Sequence, residues 1–295
     1  MKGIREIRQR IRAVKNTSQI TKALQLVASS KMKRAQDAAI AGRAYAALLA
    51  QMMESLADKV GVANHPLFLP RPVVKRGIVL ISTDKGLCGP LNSNLFRQVA
   101  EIPSQQARFI SVGRKGTQYL ARTGRDLLAD FSVSDRVGYN EVRPVVEFVT
   151  QAYLDGKIDT VEVLYSSFVN TLRQEPLLIP LVPFTSLRET IDRLREKLGQ
   201  PASAETPDNG AQMLFEPSPE EIIDLLPPLF LKQEIYQFLL GAKASEHSAR
   251  MVAMKSASDN AKQIVGDLTL EYNKARQASI TQEILEIAAA SATSD

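Results

Sequence analysis

The chain has 295 residues, 44% of them hydrophobic, with a formal net charge of +5 and one cysteine, Cys88. That length and composition suit a water-soluble protein of one or two domains. A lone thiol excludes a disulfide framework, a cysteine-based metal cluster and a paired-thiol redox switch, so a reducing compartment is the default. The charge is unevenly placed. Residues 1–43 hold eleven Lys/Arg against two acids, Glu6 and Asp37, a balance of +9 that leaves −4 for the rest. A local positive helix points to an acidic partner for that helix rather than to a generally basic protein. The richest apolar stretch, Ile222 to Leu231, is interrupted by Asp224 and by Pro227-Pro228, and it falls short of the ~20 residues a membrane span requires.

From Ile4 to Lys59 the chain is proline-free and helical in pattern. Ile4, Ile7, Ile11 and Val14 step by three and four, a coiled-coil seam. The seam turns polar and small through Ser18, Thr21, Ala28 and Ser29. Ile20, Leu24 and Val27 define a second apolar line, so this helix is expected to meet more than one neighbour. The Arg-rich, acid-poor start, Met1 to Lys15, has the composition of a transit peptide. Its apolar spacing nevertheless runs on unbroken, and it is read as part of the helix. Ala38 to Leu56 reads as the part that packs on a globular body, and Asn64-His65-Pro66 and Pro70-Arg71-Pro72 end the helix.

The middle of the chain alternates short strands with helices. Gly77 to Ser82 is a buried strand, followed by the turn Asp84-Lys85-Gly86 and a helix near Leu91 to Ala100. Arg108 to Val112 is a second strand with a helix after Gly113, and Asp126 to Phe131 a third. Glu141 to Leu154 is helical, Thr160 to Phe168 alternates as a strand, and Leu177 to Val182 reads as an edge strand because of Pro176, Pro180 and Pro183. This alternation predicts a mostly parallel, doubly wound sheet. Gly199 to Gly210 is polar and rich in Pro and Gly, and reads as a mobile insertion.

Helix resumes at Ser218, and Pro227-Pro228 is expected to set the start of a long C-terminal rod. The rod carries Ala249, Ala253, Ala257, Ala261, then Ile264, Leu268 and Ala275 on one side. At ~1.5 Å per residue, Leu229 to Ala290 reaches roughly 90 Å, several times the size of a small domain. Most of it must run outside a globular body, as a free coiled coil or as a rod sheathed by another protein.

Chemistry is sparse. The turn Thr83 to Gly89 has neither G-x-G-x-x-G nor G-x-x-x-x-G-K-[ST]. Gly113-Arg114-Lys115-Gly116-Thr117 is too short to cradle phosphates and reads as a turn that needs glycine's φ freedom. With only His65 and His247, a histidine triad or zinc site is hard to assemble. His65 is placed in a linker and His247 on the rod surface. Cys88 is read as a small buried filler in preference to a thiolate at a helix N-terminus. Tyr272 to Glu283 is different, because it carries hydrogen-bonding groups all round the helix. That pattern fits either a solvated surface or a rod gripped on every side.

Three blocks resemble the γ subunit of F-type ATP synthases. They are Ile20 to Met32 (ITKALQLVASSKM), Asp84 to Asn92 (DKGLCGPLN), and the run from Ala244 to Lys255 (ASEHSARMVAMK) through Asp259-Asn260 to Tyr272–Glu283 (YNKARQASITQE). The likeness is strong at both ends and weak between Glu101 and Gly210. It implies an α/β fold in which the terminal helices form a long antiparallel coiled coil beside a central Rossmann-like α/β domain. The segments then divide as 1–60, 73–198, a surface stretch 199–217, and 218–295.

The resemblance also implies a function. In the family the coiled coil stands inside a ring of alternating α and β subunits, and the α/β domain joins the ε subunit and the membrane c-ring. Rotation of the c-ring turns the rod, and the ATP chemistry belongs to β. This chain is then expected to be a non-catalytic rotor without catalytic, cofactor or metal residues, peripheral to the cytoplasmic face of the bacterial plasma membrane. By position, Lys22, Leu24 and Lys31 are expected near acidic loops of β, which gives the +9 helix its partner. Arg276, Gln277, Thr281 and Glu283 are expected to form a polar grip on the ring. The chloroplast members' cysteine-bearing insertion is absent, while Pro90 and Pro227-Pro228 depart from the family pattern. The competing readings are a nucleic-acid-binding module with the basic helix as its arm, disfavoured because that helix has only Tyr45 among aromatics, and a nucleotide-dependent enzyme in the central domain.

Overall fold

The computed structural model describes residues 2–59, 65–184 and 218–292. The segment Gly199 to Gly210 lies outside them, as does the whole 199–217 stretch. The chain falls into two compact units, Met1–Ser29 with Arg250–Asp295, and Ser30–Ala249. Two long helices, α1 (Lys2–Lys59) and α5 (Pro219–Ala292), contribute to both units.

The larger unit holds five strands, β1 (Arg76–Ile81), β2 (Ala107–Val112), β3 (Leu127–Phe131), β4 (Thr160–Phe168) and β5 (Gln174–Val182), in the order β3-β2-β1-β4-β5. The first four run parallel, and β5 pairs antiparallel to β4 at the edge. Pro176 and Pro180 fit there because an edge strand leaves one row of backbone groups unpaired. Helices α2 (Leu91–Glu101), α3 (Arg114–Arg122) and α4 (Arg143–Leu154) make the crossovers. The path steps outward from β1 to β3 and then returns past β1 to β4. Right-handed crossovers in opposite directions place helices on opposite faces.

The strand side chains divide accordingly. Ile78, Leu80, Phe109 and Leu164 pack with Leu95, Val99 and Leu120 of α2 and α3. Val79, Ile81, Ile110, Val112, Val163 and Tyr165 pack with α4 and with α1 and α5, through residues such as Met53, Phe230, Ile235 and Leu239. A sheet buried on both faces needs near-continuous apolar strands, which is what GIVLI and RFISV supply. An ion pair pins β1 to β4: Arg76 Nε and Nη2 donate to the two Glu162 carboxylate oxygens at 2.8 and 2.6 Å.

Three sequence expectations are corrected. Pro227 and Pro228 do not begin the C-terminal helix but lie inside it. Each removes a backbone donor, at a cost of roughly 3 kcal/mol in a helix interior. Burial of Leu226, Phe230 and Leu231 holds the helix through them. His247 is 2% exposed rather than on a surface. The helix there is flanked by the β4–β5 loop, where Ser248 Oγ donates to the Thr171 carbonyl at 2.8 Å. Ile264 is 47% exposed and faces away from the helix contact. The seam steps by four from Ala261 to Val265, so Ile264, three on from Ala261, lies about 100° round the helix from Val265.

Candidate functional site

In the smaller unit the two helices meet along heptad seams. On α1, Ile4, Ile7, Ile11, Val14, Ser18, Thr21, Gln25 and Ala28 are buried or half-buried between exposed neighbours. On α5 the corresponding row is Met254, Ser258, Ala261, Val265, Leu268, Tyr272, Ala275 and Ser279. Alternating steps of three and four keep both rows on one face. The contact is thin and small at its middle, where Ser18 and Ser258 face each other with hydroxyl oxygens 3.5 Å apart. Thr21 Oγ1 turns back to the carbonyls of Thr17 and Ser18, both at 3.0 Å, so its polarity is satisfied within α1.

What this pair turns outward is more unusual than what it buries. Ile20, Leu24 and Val27 are 61%, 37% and 51% exposed, an apolar stripe on α1 away from the seam. Lys22 is exposed beside it, its ammonium 3.4 Å from Gln25 Oε1. On α5, Arg276, Gln277, Thr281 and Glu283 are all exposed. Thr281 Oγ1 donates to the Gln277 carbonyl at 3.0 Å, and Glu283 accepts from Ser279 Oγ at 3.4 Å. Ile280, Ile284, Leu285 and Ile287 are exposed among them. Scattered exposed apolar residues are ordinary, whereas these are grouped in two stripes on one helix pair.

Lys31 is placed differently. It belongs to the larger unit and forms an ion pair with Asp135, in the loop before α4. The Lys31 hydrogen bond holds the Asp135 carboxyl below the usual carboxylate range, with Lys243 adding in the same direction. In the same unit Gln233 Nε2 donates to the Gly42 carbonyl while Lys31 and Lys243 both face Asp135, so α1 and α5 run antiparallel.

A buried charge cluster escaped the sequence reading. Lys243, 5% exposed, lies 3.4 Å from Glu246 and 3.6 Å from Asp84. The i,i+3 pairing of Lys243 with Glu246 was legible as helix spacing. The approach of Asp84, 159 positions earlier, was not.

The cluster seals the place where an α/β sheet binds ligands, outside the carboxyl ends of the strands at the switch between β1 and β4. Ser82, Leu239, Lys243 and Glu246 close that crevice down to about 10 Å³, room for about one water. The first amides of α3 are also engaged. Arg114 N donates to Asp84 Oδ1 at 3.1 Å, Lys115 N to the Thr83 carbonyl at 3.0 Å and Gly116 N to Ser82 Oγ at 2.7 Å. Donors that would hold a phosphate at a helix N-terminus are thus already bonded. Gly113 adopts φ +107°, the conformation expected of that turn, and Cys88 is buried against Leu91 and Ala249. Among the described residues no helix is long and apolar enough to cross a membrane.

Comparison with known proteins agrees with this architecture. The sequence profile of the family described as ATP synthase matches residues 3–293. The chain is 56% identical over 290 residues to the ATP synthase gamma chain of Opitutus terrae, with 98% of each sequence covered. It is 45% identical over 295 residues to that of Methylacidiphilum infernorum, again with 98% of each covered. Among solved structures it resembles a chain from the central stalk and c-ring of the Tetrahymena thermophila mitochondrial ATP synthase, with TM-score 0.61, 26% identity, and coverage of 81% of this chain and 99% of that one. A rotor chain of the Euglena gracilis enzyme shares the fold at TM-score 0.64 and 18% identity, over 95% of this chain and 99% of that one. The paired terminal helices, the five-stranded domain and the full-length identity lead to one conclusion: the chain belongs to the ATP synthase gamma chain family.

Proposed function

We propose that this chain is the central-stalk rotor of an F-type ATP synthase, carrying rotation of the membrane ring to catalytic sites on the β subunits. The observation that carries the reading is the outward face of the helix pair. A thin internal seam coexists with an exposed apolar stripe at Ile20, Leu24 and Val27 and with exposed polar groups at Arg276, Gln277, Thr281 and Glu283. Surfaces of that kind suit a shaft that forms and breaks contacts as it turns. Lys22 and Leu24 are assigned to acidic loops of β, and the four α5 residues to a polar grip higher on the ring. Lys31 is assigned to the same loops in the state where it leaves Asp135. In this reading 1–60 and 218–295 make the shaft and 73–198 the foot.

The partners are the α and β subunits, the ε subunit and the c-ring, which place the chain at the cytoplasmic face of the bacterial plasma membrane without a span of its own. The chain supplies mechanical coupling and no bond-making step. Copurification tests this. A tagged chain should recover α, β and ε among the peripheral proteins stripped from washed membranes. Recovery of the chain alone as a monomer would count against it. The basic helix also permits the nucleic-acid alternative, which requires DNA binding that weakens steeply with salt.

A further inference from the structure

A cleft of about 690 Å³ lies within the larger unit, between Lys31–Ala38 of α1 and the loop Asp135–Gly138, with Tyr236 and Leu240 of α5 as its floor. That volume is in the range of small-molecule sites. Its lining has two parts. The floor is apolar or aromatic, with Leu240 buried and Tyr236 held edge-on to Tyr139 at 5.3 Å between ring centres. The rim is cationic. Lys31, Arg34, Arg136 and Lys243 converge on it against Asp37 and Asp135.

The local pairing leaves two of the four cations, Arg34 and Arg136, outside the ion pairs. Asp135 is taken by Lys31, and Lys243 is matched by Asp84 and Glu246. Arg34 bonds Ser30 Oγ at 3.1 Å. Among the described residues, neither Arg34 nor Arg136 has a carboxylate in an ion pair. Two guanidinium forks are therefore presented along a concave wall. Guanidinium forks match phosphate and carboxylate oxygens two at a time.

From this arrangement we propose that the cleft between α1 and the Asp135–Gly138 loop binds a small organic polyanion, its charged end held by Arg34 and Arg136 and its apolar end set on Tyr236 and Leu240. The inference goes beyond the rotor reading and does not depend on it, because it concerns only the larger unit. Binding would tie α1 to the loop through the ligand, in parallel with the Lys31–Asp135 pair.

The test is calorimetric titration of the full chain at fixed ionic strength with phenyl phosphate and with inorganic phosphate. The variants are Arg34→Glu with Arg136→Glu, and a control of equal charge change, Arg5→Glu with Arg8→Glu. Phenyl phosphate is expected to bind saturably at one site and several-fold more tightly than inorganic phosphate. The cleft variant should weaken it at least tenfold, and the control should leave it unchanged. A milder pair, Arg34→Lys with Arg136→Lys, should give an intermediate loss while keeping the same melting curve. Absence of saturable binding overturns the proposal, as does equal weakening in cleft and control variants. Equal affinity for the two phosphates overturns the role of the apolar floor. A glutamate-rich peptide that binds while phenyl phosphate does not would make the cleft a protein dock instead.

Discussion

The hydroxyl of Ser18 lies 3.5 Å from that of Ser258, and each also reaches the other residue's backbone carbonyl at 3.4 Å. The two serines form a small polar layer in a seam that also holds Thr21, Gln25, Tyr272 and Ser279 among its apolar and alanine positions. Side chains this short let the helices approach closely, and the facing hydroxyls satisfy each other where water is excluded. A polar layer of this kind also penalises a shifted register, in which one hydroxyl would face an apolar residue alone.

Ser258→Leu should destabilise the chain by about 1–3 kcal/mol, because a larger side chain overpacks a site that is 1% exposed. Ser258→Ala should cost about 1 kcal/mol through the lost hydrogen bonds. Urea unfolding followed by circular dichroism of the full chain checks both. A more stable leucine variant would show that the helices do not pack closely at this layer.

Gly113→Ala should cost at least about 2 kcal/mol. Gly113 sits at φ +107°, and an added Cβ would come within 2.3 Å of the Ser82 carbonyl oxygen, part of the backbone that positions α3. Gly124→Ala is the control: its φ is +64°, but nothing lies within 4 Å of the new atom. It should cost about 1 kcal/mol from backbone conformation alone. Equal shifts in the urea midpoint would rule out the contact with Ser82 as the cause.

Acid should loosen the loop before α4. The Glu141 carboxylate accepts from Ser134 N at 2.8 Å, Gly138 N at 3.0 Å and Ser134 Oγ at 2.9 Å. The Ser134 amide leads in holding its pKa below the ordinary value of 4.5, and burial opposes it. A depressed folded pKa means that the stabilisation is present above 4.5 and lost as pH falls through the folded value. Asp135, held down by Lys31, adds in the same sense below its ordinary 3.8. Stability measured from pH 6 down to 3 should therefore fall less steeply in Glu141→Gln than in the parent chain. Parallel curves would mean that Glu141 does not contribute to the acid response.

Leu24→Lys should leave the melting of the isolated chain almost unchanged, within ~0.5 kcal/mol, because Leu24 is partly exposed and off the seam. In the assembled, membrane-reconstituted complex it should lower the ratio of ion pumping to ATP hydrolysis. Normal coupling with lysine at that position would remove Leu24 from the proposed contact surface.

Much of the fold was legible in local pattern. Apolar runs of five or six residues between turn residues located β1 and β2, and the three-four spacing of Ile4, Ile7, Ile11 and Val14 located the seam of α1. The terminal motifs pointed to the family. Two of the corrections share one origin. Pro227-Pro228 carries a strong local stop signal, but Phe230, Leu231 and their neighbours gain more by packing as helix than the two lost backbone bonds cost. His247 looks like a surface residue in an amphipathic helix, yet α5 is enclosed at that level on more than one side.

The sequence by itself determined which segments are helix or strand, because apolar period and turn residues act over a few positions. It also led to the expectation that most of the C-terminal helix runs outside a globular body, as a free coiled coil or as a rod sheathed by another protein. Only the tertiary structure decided which charges meet. Lys31 finds Asp135 and Lys243 finds Asp84 across 104 and 159 positions, and spacing along a chain holds no record of such distances. The closing of the strand-end crevice and the opening of the cationic cleft beside it follow from those meetings, because both are shaped by where α1 and α5 cross the sheet.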